Sequence, residues 1–294
     1  MKKLIVITGG AGFVGSNLIE ALLKKTNFSI ISLDNYSSGT KKNHIRDNRV
    51  KYINGNTQNI SKLLELKKKK IHSLFHFGEF SRIYQSFLQF ENCIQSNLVG
   101  TSEVINFCLK NNIKLIYSAT SATIGNKGND KDLSPYAFTK AKNLEMLENL
   151  KKWFKFKFET VFFYNVYGPR QICEGEMATV IGIFEKKFYK KQALTVVSPG
   201  TQSRRFTHIK DTIDVCYYAW KKNKCNYYSI SSKKNYSIKQ IAKMFGSKIK
   251  ILPPRKGERY NSSIGSHYKN NKMTKFFGKI DITEYIQKIV ENDS

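Results

Sequence analysis

Residues 4–25 constrain the fold of this chain more than any other stretch. The apolar run Leu4-Ile5-Val6-Ile7-Thr8 passes directly into Gly9-Gly10-Ala11-Gly12-Phe13-Val14-Gly15, and a helical pattern continues from Gly15 to Lys25. The run reads as a buried strand and the longer period after it as a helix. Glycines permit the tight turn between them and let a bound group approach the backbone. The helix start supplies unpaired N–H groups and positive potential, which suits a pyrophosphate. Strand, glycine turn and helix in that order form the opening of a parallel βαβ unit that binds a dinucleotide.

The alternation continues. FSIISL (28–33), VKYI (50–53), SLFHF (73–77), IKLIYSA (113–119) and FETVFF (158–163) read as strands, with helical patterns such as Asn97–Asn111 between them. Strands alternating with helices predict an α/β fold, a doubly wound parallel sheet of Rossmann type. After residue 165 the rhythm changes. A loop (NVYGPRQICEGE) leads to a helix over Met177–Tyr189, a strand LTVVS, a basic turn SRRFTH and a strand YYSIS. Ser237-Ile-Lys-Gln240 has the form of a capping box, Pro253-Pro254 marks a break, and Ile282–Val290 reads as a final helix. The division expected is 1–165 for the dinucleotide and 166–294 for a smaller α/β substrate lobe, with interleaved segments. Ligand belongs at the carboxyl ends of the strands, in the crevice between the lobes.

Asp34 lies about twenty residues beyond Gly15, where such folds place the acid that holds an adenosine ribose. A carboxylate there repels a 2′-phosphate and favours NAD over NADP, although Lys41, Lys42 and Arg46 stand nearby. Further on, Tyr136 and Lys140 sit four residues apart, after a helix start at Ser134-Pro135, and so share a face. A free phenol titrates near 10. A neighbouring ammonium favours the phenolate, which lets the pair exchange an alcohol proton near neutrality. The same spacing also suits a helix with one aromatic and one solvated lysine.

The formal net charge is +28. A polyanion such as nucleic acid is one reading. The charge is spread along the whole chain, which is also rich in Asn, Ile, Tyr and Phe, so compositional bias is favoured over a nucleic-acid partner. The five cysteines (93, 108, 173, 216 and 225) show no zinc spacing and read as reduced thiols, and no metal motif is present. No apolar run has membrane-spanning length. The apolar run in MKKLIVIT is too short for a leader and is ended by Gly9-Gly10 with no cleavage-type site, so a first strand and a cytoplasmic protein are expected.

TGGAGFVGSN (8–17), LDN (33–35), SNLVGT (96–101), SPYAFTK (134–140), NVYGPRQ (165–171), RRFTHIKD (204–211) and KGE (256–258) occur in an order that resembles the extended short-chain dehydrogenase/reductase family, specifically its nucleotide-sugar epimerases and dehydratases. The resemblance covers nearly the whole chain. It implies Tyr136 as the base, with Lys140 holding the nicotinamide ribose and lowering the phenol's pKa. Thr120 would hydrogen-bond the reacting hydroxyl, with Ser121 the neighbouring substrate contact and the alternative if the register slips by one. Gly9, Gly12, Phe13, Val14, Gly15, Asp34, Asn35, Asn56, Phe77, Gly78 and Asn97 would serve NAD. Asn165, Arg204, Arg255 and Glu258 would meet the nucleotide diphosphate, although each Arg also suits a plain surface charge. A homodimer through residues 97–111 and 141–152 is implied as well.

The resemblance also narrows the reaction. Dehydratases carry Asp-Glu after the Thr, and here Ser121 and Ala122 follow Thr120. Heptose 6-epimerases carry a second base, a Lys nine residues after the Asn; here that position is Glu174. An NAD-dependent 4-epimerase of a nucleotide sugar, with a UDP-sugar favoured, needs neither. The alternatives are a net reductase or dehydrogenase of nucleotide sugars, a heptose 6-epimerase, and a dinucleotide-binding regulator or RNA-binding protein. Asn56 replaces a usual Asp, and the segment between Thr120 and Tyr136 is short. Glu79 replaces a usual small residue, where it would approach a sugar hydroxyl or pair with Arg82. Ser262 would leave room for an N-acetyl group, or is a plain loop residue.

Overall fold

The computed structural model describes residues 3–222, 224–258, 264–265, 267–269 and 271–292. Ser262 lies outside them. Six strands, β1 (Leu4–Thr8), β2 (Ser29–Asp34), β3 (Val50–Asn54), β4 (Ile71–His76), β5 (Lys114–Thr120) and β6 (Phe158–Phe163), pair in parallel in the order 3-2-1-4-5-6. The helices among them are α1 (Phe13–Lys25), α2 (Ile60–Leu64), α3 (Ile83–Leu88), α4 (Phe90–Ile94), α5 (Thr101–Lys110) and α6 (Pro135–Phe154).

Side chains alternate across a strand, and both faces of this sheet are covered. Ile5 and Ile7 pack with Leu18 and Leu22 of α1, whereas Val6 packs with Ile60, Leu64, Val104 and Leu144 on the opposite face. Parallel register sets Thr8 beside His76, and His76 beside Tyr117. Those polar residues gather at the carboxyl ends, where the crossover loops also arrive.

The second half contributes β7 (Val166–Tyr167), α7 (Val180–Tyr189), β8 (Leu194–Val197), β9 (Ser203–Arg204), β10 (Thr207–His208), α8 (Ile209–Lys221), β11 (Tyr227–Ser231), β12 (Tyr236–Ser237), α9 (Ile238–Met244), β13 (Ile249–Leu252), β14 (His267–Tyr268), β15 (Asn271–Phe277) and α10 (Ile282–Glu291). The chain returns to the main sheet: β11 joins β6, then β15 and β14 follow, giving nine strands. Away from the sheet, Tyr167, Phe184, Val196, Phe206, Ile241, Phe245 and Ile286 form a separate core. Among the described residues no helix is long and apolar enough to cross a membrane.

Ser237 caps α9 as its spacing predicts: its hydroxyl accepts the Gln240 N–H at 3.1 Å and the Gln240 side chain accepts the Ser237 N–H at 2.7 Å. Ser237→Ala is expected to cost about 1 kcal/mol and to lower the thermal midpoint by a few degrees, read by a melting curve. The helix expected over Asn97–Asn111 departs from simple periodicity. Gln95–Gly100 is a π-helical segment, and α5 proper starts at Thr101.

Candidate active site

The glycine turn is closed against its neighbours. Gly9 has φ +69, and a Cβ there would lie 2.8 Å from the Gly78 amide nitrogen. A Cβ on Gly15 would lie 2.1 Å from the Gly9 carbonyl oxygen. Gly12 is the N-cap of α1 and brings no side chain to its amides. The first-turn N–H groups at Phe13, Val14 and Gly15 therefore lack intrahelical partners. This bare helix start, backed by backbone with no room for side chains, fits a dinucleotide pyrophosphate.

Asp34 ends β2 and faces the same turn. Its Oδ2 accepts the Ala11 N–H at 2.9 Å and its Oδ1 the Tyr36 N–H at 2.8 Å. Burial raises its pKa, and the N–H groups of Tyr36, Ala11 and Gly12 oppose that rise. Two amide donors leave carboxylate lone pairs for ribose hydroxyls. Asn35 donates to the Asn56 side-chain oxygen at 2.8 Å, so these two act as one unit.

The loop after β4 closes the other side. Phe77 and Gly78 both donate their amides to the Thr8 hydroxyl, at 3.1 and 3.0 Å. Asn97, from the π-helical segment, is 0% exposed. Its amide donates to the Phe80 carbonyl at 3.0 Å and to Thr139 at 3.1 Å, and its oxygen accepts the Phe80 N–H at 2.7 Å. These bonds give Asn97 a hold on the loop backbone.

Thr120 terminates β5 and Tyr136 opens α6. Ser134 accepts the Ala137 N–H at 3.1 Å and Pro135 occupies the first turn, which fixes where this helix begins. Tyr136 is buried among Phe80, Ala122 and Ala137. Its pKa is pushed up to about 12, first by burial, while a hydrogen bond with Thr120 and the Arg82 charge pull it down. Lys140, expected to lower this pKa, has hydrogen-bond partners of its own. The Lys140 ammonium donates to Glu79 Oε2 and the Ser118 carbonyl, 4.5 Å from the Tyr117 ring centroid. Glu79 likewise meets neither a sugar-facing surface nor Arg82. Its side chain is 3% exposed and paired with Lys140. Arg82 points its Nε and Nη2 at the Met177 carbonyl, 2.9 and 2.5 Å away.

The residues expected at the diphosphate are arranged unevenly. Arg204 donates to Glu258 at 2.6 Å, so this pair is brought together. Arg255 lies over the Tyr84 ring of α3, 5.1 Å from its centroid. Asn165 has φ +35 and spans the turn into β7, donating to the Arg205 carbonyl at 3.1 Å. Ser121 is buried in a short 3₁₀ turn directly after Thr120. The brief segment before Tyr136 is filled by a second 3₁₀ stretch, Gly125–Asp132. Glu174 turns outward, 76% exposed, and pairs with Lys186.

Arg82 entered the sequence reading only as a possible partner of Glu79, and three residues that donate to Glu79 escaped it: Thr101, Tyr117 and Asn143. Only Asn143 carried a local signal, standing three residues beyond Lys140 on the same helix face. The other two arrive from separate elements, α5 and β5.

The comparisons with known proteins agree with this geometry. The model of the NAD dependent epimerase/dehydratase family matches residues 5–231. The "Putative UDP-glucose 4-epimerase" of Methanocaldococcus jannaschii is 26% identical over 98% of this chain and 97% of its own length. The ADP-L-glycero-D-manno-heptose-6-epimerase of Brachyspira hyodysenteriae is 27% identical over 82% of this chain and 79% of its own. Among solved structures, the UDP-glucose 4-epimerase of Thermotoga maritima with UDP-glucose superposes with a TM-score of 0.85 at 22% identity, covering 98% of this chain and 97% of that one. With the family's model matched from the first strand to β11, and its fold reproduced, the chain belongs to the NAD dependent epimerase/dehydratase family.

Proposed function

We propose that this protein is an epimerase that inverts C4 of a nucleotide-activated hexose, with a UDP-hexose or UDP-N-acetylhexosamine favoured and NAD retained through the cycle. The observation that supports the reading is Thr120 at the carboxyl end of β5, hydrogen-bonded to Tyr136, with no acid on Ser121 or Ala122. NAD, when bound, supplies a two-electron acceptor that takes hydride from the sugar carbon and returns it. The bare start of α1 and the Asp34 carboxylate are the groups that would hold it.

Tyr136 takes the hydroxyl proton and gives it back, and Thr120 orients that hydroxyl. Lys140 lies on the same face of α6 as Tyr136, one turn on, where a nicotinamide ribose would lie. Arg204, with Asn165 and Arg255, binds the diphosphate; the planar fork of Arg suits phosphate oxygens. This reading asks for no second base, in keeping with Ser121 and Ala122 after Thr120. Glu174, directed to solvent and paired with Lys186, gives no support to a heptose 6-epimerase.

Purified protein incubated with UDP-glucose or UDP-N-acetylglucosamine is expected to reach an equilibrium of C4 epimers without added NADH. Product that forms only with stoichiometric NADH consumption points to a net reductase. Arg204→Gln is expected to raise KM by roughly tenfold, the worth of one charge-assisted hydrogen bond, with a smaller change in kcat.

The same reading divides the labour between residues 1–165 for NAD and 166–294 for the nucleotide sugar. Val99 remains exposed within 97–111, one of the two segments read as a homodimer interface, and supports that reading. Five free thiols suit a reducing, cytoplasmic setting.

A further inference from the structure

The short helix α3 (Ile83–Leu88) takes no part in the chemistry described so far, yet separate pieces of the candidate site are fastened to it. The first is the helix that carries the base. Ser86 is 0% exposed. Its hydroxyl accepts the Tyr136 N–H at 3.2 Å and donates to the Ile83 carbonyl at 2.6 Å. Tyr136 lies in the first turn of α6, so its N–H has no partner within that helix, and Ser86 supplies one.

The second piece is the segment before α7. Arg82 leads into α3 and directs Nε and Nη2 at the Met177 carbonyl, while its Nη1 donates to the Ser81 carbonyl at 3.0 Å. Gln89, just past the other end of α3, donates to the Glu176 carboxylate. Met177 and Ile83 both pack against the cluster of Phe80, Ala122 and Tyr136. Two N–H groups of one rigid, planar guanidinium fix the peptide they share, and so set Met177 against the base.

The third piece is the turn after β13. Arg255 lies over the Tyr84 ring, 5.1 Å from its centroid. Gly257, at φ +72, comes so close to the same helix that a Cβ would lie 2.8 Å from Phe87 Cε2 and 2.9 Å from Ile83 Cγ2. The next residue, Glu258, accepts from Arg204. The turn is therefore seated on Ile83, Tyr84 and Phe87, side chains that neighbour one another along α3.

We propose that α3 is the positioning element of the substrate site: Arg82 holds Met177 at the sugar end, beside Tyr136, and Tyr84 holds Arg255 at the diphosphate end. The inference rests on the proposed roles of Tyr136 and Arg255. One rigid span between the two ends sets the distance from base to diphosphate, and that distance decides which sugar hydroxyl meets the phenol.

Two variants separate the ends. Arg82→Gln is expected to lower kcat for UDP-glucose by about tenfold, the worth of one charge-assisted hydrogen bond, with a smaller change in UDP affinity measured by calorimetry. Cleavage by a glutamate-specific protease at Glu174 and Glu176 should quicken in the same variant, because both precede the held peptide. Arg82→Lys keeps one donor and serves, with a smaller fall, if the Gln variant does not fold. Tyr84→Leu is expected to weaken UDP binding by about two- to fivefold, the worth of an exposed cation–π contact, with a smaller change in kcat. Tyr84→Phe keeps the ring and should retain UDP affinity, and in an Arg255→Gln background the effect of Tyr84→Leu should vanish. A purely structural role would lower the melting midpoint and move both constants together in either variant, and that result overturns the proposal. So does a parental UDP affinity in Tyr84→Leu, or a folded Arg82 variant with parental kcat and cleavage rate, or a parent protein that binds no UDP. A parent that binds UDP and forms no epimer sinks the epimerase reading alone; the protease and UDP measurements then decide the role of α3.

Discussion

Tyr136→Phe is expected to lower epimerisation by about 10²–10⁴-fold, the usual worth of a positioned general acid–base group. The substitution removes one oxygen and keeps the ring, which packs against Phe80, Ala122 and Ala137. The lost hydrogen bond with Thr120 costs about 1 kcal/mol, so the melting midpoint should stay close to the parent's. NAD retention should be unchanged, because the glycine turn and Asp34 are untouched. Initial rates on UDP-glucose, a melting curve and the bound NAD content check the three parts. A rate within a few-fold of the parent places the base on another residue.

Gly15→Ala should have the largest effect on the folded state. The new Cβ would stand 2.1 Å from the Gly9 oxygen, 2.7 Å from Gly10 Cα and 2.8 Å from the Gly9 carbonyl carbon, all of them backbone atoms. No side chain can rotate to relieve these contacts, so the turn itself must open. Overpacking of this kind costs about 3 kcal/mol or more. At about 2–4 °C per kcal/mol for a chain of this size, the midpoint should fall by roughly 10 °C. The opened turn also loses its fit to a pyrophosphate, so NAD binding should fall with it. Gly12→Ala is the internal comparison: its Cβ meets only the Gly9 oxygen, at 3.2 Å, and its effect should be milder. Melting curves and NAD titrations of both variants settle the order, and equal behaviour would mean that the close approach at Gly15 is unimportant.

The elements that could be read in advance are those whose signal is local. β1, the turn and α1 carry their periodicity and their glycines within about 25 residues. The α6 start is written in Ser134-Pro135, and the α9 start in Ser237 and Gln240. The π-helical segment at Gln95–Gly100 was not legible, because it is held by Asn97 bonding to Phe80 and Thr139, both remote in sequence. Glu159 is similar. It reads as one polar residue in an apolar strand, and only the folded chain places the N–H groups of Lys224, Cys225 and Asn226 on its oxygens. The partner of Lys140 was hidden for the same reason. Spacing on a helix says that Lys140 is near the phenol, but it cannot say which carboxylate has already claimed the ammonium.

The sequence by itself determined the parallel α/β architecture of the first half, the glycine turn between β1 and α1, and the placement of Asp34 at the end of β2. These rest on short-range constraints: the strand and helix periods, glycine's freedom, and the fixed distance from one β-strand end to the next. Only the tertiary structure decided how the charges are partnered. It brought Glu79 from the β4 loop onto Lys140 from α6, set Arg82 on the Met177 carbonyl, and joined Arg204 to Glu258. Partnering depends on which loops meet at the carboxyl edge of the sheet, and on burial that makes each unpaired charge costly. Neither of these is carried by any single stretch of the chain.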